Sequence, residues 1–238
     1  MKKITALILA LVLVLTLCAC GDKSIGGTVT PKETTAGAAG TVETPAPAEE
    51  TPAGDADEEF QIGTTSGGKY ENAFLGIGCA LDENWVFASQ EELAQMIGNT
   101  AEMFDNEEYA EQMKNANMFY DMFASADQGL VTINVVIQNM GVLYGAVLSE
   151  EKYLEIAMES LDEQLGSAGF ADIQAETGTV SFAGQERTGL HISSTYQGIP
   201  YYCQQVYVKQ GSYIAAISLI SFSEDITASL LDYFYAVG

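Results

Sequence analysis

Residues 21 to 59 hold almost no large apolar side chain, and this most constrains how the chain can fold. The stretch "GDKSIGGTVTPKETTAGAAGTVETPAPAEETPAGDADEE" is built from Thr, Ala, Gly, Pro and Glu. Such a composition cannot bury enough surface to offset its conformational entropy. A packed core therefore has to come from the residues C-terminal to it. We place the boundaries at 1–19, 20–66 and 67–238: a leader, a tether, and one folded domain. At coil scaling the tether spans about 35–40 Å.

Ahead of the tether, "MKKITALILALVLVLTLCAC" sets Lys2 and Lys3 before an apolar run from Ile4 to Leu17, and small residues come after it. That is the order of a secretory signal, and the run is short of the roughly 20 apolar residues that a spanning helix wants. The run ends in Leu17-Cys18-Ala19-Cys20, which resembles the bacterial lipobox: Leu at the third position before a cysteine, and a small residue immediately before it. The resemblance implies cleavage between Ala19 and Cys20 and a diacylglyceryl group on the Cys20 thiol. Cys18 fits less well, because the large Leu17 precedes it. Two acyl chains on one residue suffice for stable anchoring. The expected location is the cell membrane, lipid-anchored, with the domain facing the extracytoplasmic side.

Charge narrows the partners. The chain carries 33 Asp and Glu against 9 Lys and Arg, a formal net charge of -24. Nucleic acid needs the opposite sign to displace its counterions, so it is not an expected partner. Exported chains permit disulfides. Cys79 lies on the apolar face of its strand, and Cys203 alternates differently with its neighbours, so two buried free thiols are expected rather than a bridge.

From Tyr70 onward periodicities become readable. In "FLGIGCALDENWVF", Leu75, Ile77, Cys79 and Leu81 share one face of a strand, and Gly76, Gly78 and Ala80 leave the other open to close packing. Ser89 with Glu92 three residues on has capping-box spacing, and Gly98 would close that helix. Residues 100 to 117 read as an acidic, irregular helix. Next comes a hairpin whose second strand sets Val131, Ile133, Val135 and Ile137 on one face. "SEEKYLEIAMESLDEQLGSAGF" reads as one helix with Leu154, Met158, Leu161 and Leu165 as its stripe, ending at Gly166. Five short pieces with Gly-containing turns, one of them at Gly178, then form a meander. The tail, with Ile226, Leu230 and Phe234 at helical spacing, reads as a last helix. The expected fold class is α+β: a single antiparallel sheet with helices packed mainly on one face.

This order of elements, with Leu81-Asp82-Glu83-Asn84-Trp85 after the first strand, resembles PsbP-like or DcrB-like domains. The resemblance implies an accessory or binding module, mostly non-enzymatic, and names no ligand.

Motifs of catalysis are scarce. The one histidine, His191, alternates with Leu190 and Ile192 and is expected at the surface. No G-x-S-x-G elbow, P-loop or G-x-G-x-x-G after a strand occurs. Asp55, Asp57 and Glu59 alternate without completing a calcium loop. No cofactor or metal is expected, and no catalytic residue is assigned. Tyr196, Tyr201, Tyr202, Tyr207 and Tyr213 cluster in two strands and their turns. Strand propensity explains them; the sharper reading makes Tyr196, Tyr201 and Tyr207 a binding surface for an envelope protein, peptide or glycan. The alternative function is a cell-envelope hydrolase with paired carboxylates. A transporter's solute-binding subunit is weakened by the single domain, since such subunits form two lobes around a cleft.

Overall fold

The expected hairpin forms from β5 (Met118–Ala126) and β6 (Val131–Asn139), joined through a 3₁₀ turn at Asp127–Gly129. This is seen in a computed structural model that describes residues 60–101, 117–141, 145 and 147–238. The leader, Cys20, the tether up to residue 59, and positions 102–116 of the acidic helix lie outside the described residues.

The expectation of a single sheet with helices on one face is corrected. Among the described residues there are two antiparallel sheets, of seven and four strands. The larger runs β4 (Val86–Phe87), β5, β6, β10 (Tyr213–Ser221), β9 (Ile199–Gln210), β8 (Gln185–Tyr196), β7 (Phe170–Phe182). The smaller runs β1 (Thr64–Ser66), β2 (Lys69–Asn72), β3 (Ile77–Ala80), β11 (Phe234–Ala236). Their facing sides share one apolar core: Tyr70, Ile77, Cys79 and Phe234 from the small sheet pack with Ile133, Val135, Val206, Ile217 and Leu219 from the large one. The opposite face of the large sheet holds a second core under α2 (Glu150–Glu159) and α3 (Leu161–Ser167). Burying Leu154, Leu161 and Leu165 there contributes about 1.5–3 kcal/mol each. The central strands are thus covered on both sides, and every residue of β6 from Val131 to Gln138 is buried.

Local signals behave as their chemistry dictates. The Ser89 N–H and Oγ both donate to Glu92 Oε2, at 2.7 and 2.8 Å, and the Glu92 N–H donates back to Ser89 Oγ at 3.4 Å. This capping box opens α1 (Gln90–Ala101), which continues through Gly98 rather than stopping there. The long helix breaks at Ser160 into α2 and α3, with Ser149 capping α2 by accepting from the Lys152 N–H. Its close comes past Gly166, where Gly169 takes the left-handed conformation at φ +90. Gly78 lets the Tyr235 ring approach, since a Cβ there would lie 2.5 Å from the ring.

Three further boundaries differ from expectation. Gly178 lies inside β7, which runs unbroken from Phe170 to Phe182. The tail makes one helical turn, α4 (Thr227–Leu230), and then a strand pairing Phe234 with Cys79. At the other end the fold begins ahead of residue 67, because Phe60 stacks on Tyr213 at 4.3 Å and β1 starts at Thr64.

Candidate functional site

Tyr201 and Tyr207 are wholly buried, so they form no binding surface; Tyr196 is half-buried, its ring 4.8 Å from Phe170. Both buried tyrosines stand on the helix-side face of the large sheet. Burial pushes their hydroxyls well above the ordinary pKa of 10.0. Tyr207 donates to Gln205 Oε1 at 2.6 Å, and Gln205 Nε2 donates to Ser218 Oγ at 3.0 Å.

That chain of bonds belongs to a wider polar interior which the sequence did not announce. Strand register sets Phe123, Asn134, Ser218, Gln205 and Leu190 side by side across five strands. The next row is Ser125, Thr132, Ile220, Cys203 and Ile192. Neither row carries a charged side chain. Asn134 and Thr132 are fully buried, and among the described residues neither the Asn134 amide nor the Thr132 hydroxyl has a hydrogen-bond partner. The Ser194 hydroxyl on the same face is buried and without a partner among the described residues too, while the Tyr201 hydroxyl lies against the weakly bonding Cys203 thiol. Buried polar side chains are normally satisfied, so this concentration on one face asks for an explanation. The only sequence signal was polar Thr132 and Asn134 alternating with Val131 and Ile133, which reads as a solvated side until both faces are known to be covered.

At the edge of this interior a cavity of about 240 Å³ opens between α1 and the β4–β5 pair. Phe123 and Ser125 line it beside Phe87 and Met96, with Glu92 at its rim. A wider hollow of about 430 Å³ lies at the start of α2, lined by Ser149, Glu150, Glu151 and Lys209. Its Glu150 is already engaged: Oε1 accepts from Arg187 Nη1 at 2.8 Å and from the Lys209 N–H at 2.9 Å.

His191 is about one-third exposed and sits 2.9 Å from Asp225 Oδ2, a partner that sequence spacing could not reveal. The Asp225 carboxyl is held below its usual range despite partial burial, which alone would raise it, because Thr227 and His191 bond to it. Asp55, Asp57 and Glu59 lie outside the described residues. Among the described residues no group of three His, Cys, Asp or Glu could hold a metal ion, and no helix is long and apolar enough to cross a membrane.

Cys79 and Cys203 are both free and buried, each in a different core. Burial pushes both thiols up to about 12. In the folded chain neither should react with iodoacetamide at pH 8, and both should react in denaturant. Rapid native labelling, read by peptide mass, would contradict their placement.

No protein-family model matches the chain, and no curated protein sequence matches it. Among solved structures, it is similar to a Pseudomonas aeruginosa protein of unknown function, PA94, described as a putative regulator, with TM-score 0.28 and 13% identity. That match covers 38% of this chain and 58% of the other, so the chain spans little more than half of that relative. It is also similar to LpqN of Mycobacterium tuberculosis, described as involved in cell envelope biogenesis, with TM-score 0.37 and 14% identity over 68% of this chain and 83% of that one.

Proposed function

We propose that this protein is a lipid-anchored extracytoplasmic binding or accessory module without a catalytic role. The observation that carries the reading is Leu17-Cys18-Ala19-Cys20 at the end of a signal-like apolar run, with a long tether between it and the folded domain. The likeness of Leu81 to Trp85 to PsbP-like domains supports an accessory role. The strongly acidic balance favours an envelope protein, peptide or glycan over nucleic acid as partner. The hydrolase alternative draws less support, because both oxygens of the buried Asp121 and Oε1 of the cavity-lining Glu150 are engaged in structural hydrogen bonds.

Intact-mass analysis of the membrane-extracted protein beside a Cys20→Ser variant tests this. The expected result is a chain beginning at residue 20 with a diacylglyceryl increment, lost in the variant along with membrane retention. An unmodified chain released into the medium would overturn the anchored reading.

A further inference from the structure

Every residue lining the cavity between α1 and the β4–β5 pair keeps some of its surface open to solvent. Strand register sets Val86 opposite Ser125, and the Ala88 N–H donates to the Phe123 carbonyl at 2.9 Å, so these four residues form one face of the sheet edge. Glu92, Gln95 and Met96, three and four positions apart, supply the wall from one side of α1. Val86, at 68% exposure, is the most open of the apolar lining residues. The cavity is therefore an apolar floor with a single carboxylate, Glu92, beside it.

We infer that this cavity seats a lysine side chain from an extended segment of a cationic partner protein, with the methylene stem on Val86 and Met96 and the ammonium at Glu92.

Size, chemistry and sign each narrow the occupant. At about 240 Å³ the cavity lies below the roughly 300–1,000 Å³ of small-molecule pockets, and it takes one long side chain. Apolar walls beside one carboxylate suit a residue that buries a hydrocarbon stem and keeps its charged end in water. Lysine suits it better than arginine, because Glu92 Oε2 already accepts from the Ser89 N–H and hydroxyl at 2.7 and 2.8 Å. A guanidinium seeks both oxygens of a carboxylate, whereas an ammonium needs only the remaining Oε1. The same two bonds hold the Glu92 carboxyl below its usual range, which keeps it charged. The surroundings set the sign: no basic residue occurs between Lys69 and Lys114, and the exposed Asp82, Glu83 and Glu91 flank β4 and open α1. The chain's own adjoining segment, 102–116, holds five acidic residues against Lys114 alone, the wrong sign for this seat. A net charge of -24 draws a cationic protein from a distance as well. Among the described residues β4 is an edge strand of the large sheet, where an extended segment can lie alongside.

The inference rests on the binding-module reading, whose partner chemistry it names, and is independent of the anchor. The test uses the full mature chain and a fluorescently labelled Thr-Val-Thr-Lys-Val-Thr peptide amide, beside the same peptide carrying Nε-acetyl-lysine, followed by anisotropy. The lysine peptide is expected to bind about fivefold more tightly, and Glu92→Gln to abolish that preference. Glutamine keeps the capping box, so the variant should fold as the parent does. Glu91→Gln removes the same charge outside the cavity and should leave the preference intact. Bound peptide should also shift the methyl resonances of Val86 and Met96. No binding, no preference for the charged lysine, or methyl resonances that stay in place would overturn the inference. So would equal losses in Glu91→Gln and Glu92→Gln, the mark of general attraction to an acidic surface. Intact mass measured on the same sample reports the anchor separately, so either reading can fail alone.

Discussion

Replacing Asp121 with alanine is expected to destabilise the domain by about 3–5 kcal/mol, as the loss of one acceptor strands three buried donors at about 1–3 kcal/mol each, partly relieved by water. Asp121 sits where the register of β5 slips between Tyr120 and Met122, and this bulge turns its carboxyl toward the small sheet. There Oδ1 and Oδ2 accept from the Gly63 N–H at 2.9 and 3.0 Å, and Oδ2 accepts from the Tyr70 hydroxyl at 2.6 Å and from Asn72 Nδ2 at 2.8 Å. The donors lie 49 to 58 residues away in the chain, so this one side chain ties the first strands of the small sheet to the large sheet. At about 2–4 °C per kcal/mol for a domain of this size, the loss is readily seen by calorimetry. Tyr70→Phe, which removes one donor and strands nothing else, should cost only about 1 kcal/mol. Gly63→Ala gives an independent probe, because its Cβ would lie 2.3 Å from the Tyr70 ring and 2.7 Å from Asp121 Oδ2. If Asp121→Ala melts within a degree or two of the parent, the carboxyl does not join the sheets.

Those elements were legible whose signals are local. The capping box at Ser89 and Glu92, the β5–β6 hairpin and the strands of the meander each arise from residues within a few positions of one another. The second sheet has no such signal. Its β2 reads Lys-Tyr-Glu-Asn, in which only Tyr70 announces a core, and β1 is exposed along its whole length. Its last strand comes from the far end of the chain, where the spacing of Ile226, Leu230 and Phe234 also suits a helix. Leu230 and Phe234 do reach the core, but by way of one helical turn and then a strand. Spacing fixed which side chains go inside without fixing the backbone that carries them.

The polar interior was hidden for a related reason. Alternation along β6 normally separates a core side from a wet side. Once a second sheet covers one face and helices the other, Thr132 and Asn134 are buried as deeply as Ile133 and Val135. The tyrosine cluster was open to two interpretations, and Tyr201 and Tyr207 resolve it in favour of interior strand packing.

Phe234→Ala should be the most damaging single substitution in the C-terminal segment, at about 3–5 kcal/mol, the usual cost of emptying a buried phenylalanine site. Phe234 is 7% exposed, its ring centroid lies 4.8 Å from that of Phe182 at the end of β7, and its backbone pairs with Cys79. One side chain thus touches both sheets. Its neighbours hold the strand in register: the Val237 N–H donates to the Gly76 carbonyl at 3.0 Å, and the Tyr235 hydroxyl donates to Glu71 Oε1 at 2.7 Å. The Tyr235 bond is at the surface, so Tyr235→Phe should change little. Ending the chain after Tyr233 removes β11 altogether and leaves β3 as an unpaired edge with Ile77 and Cys79 uncovered. Hydrogen exchange on that truncated chain should show amides of β2 and β3 losing protection while β9 and β10, flanked by strands on both sides, keep theirs. Equal loss throughout would mean that the two sheets unfold as one unit, with β11 as its latch. No loss at β3 would mean that the small sheet stands without its last strand, and Phe234→Ala should then cost no more than an ordinary surface change.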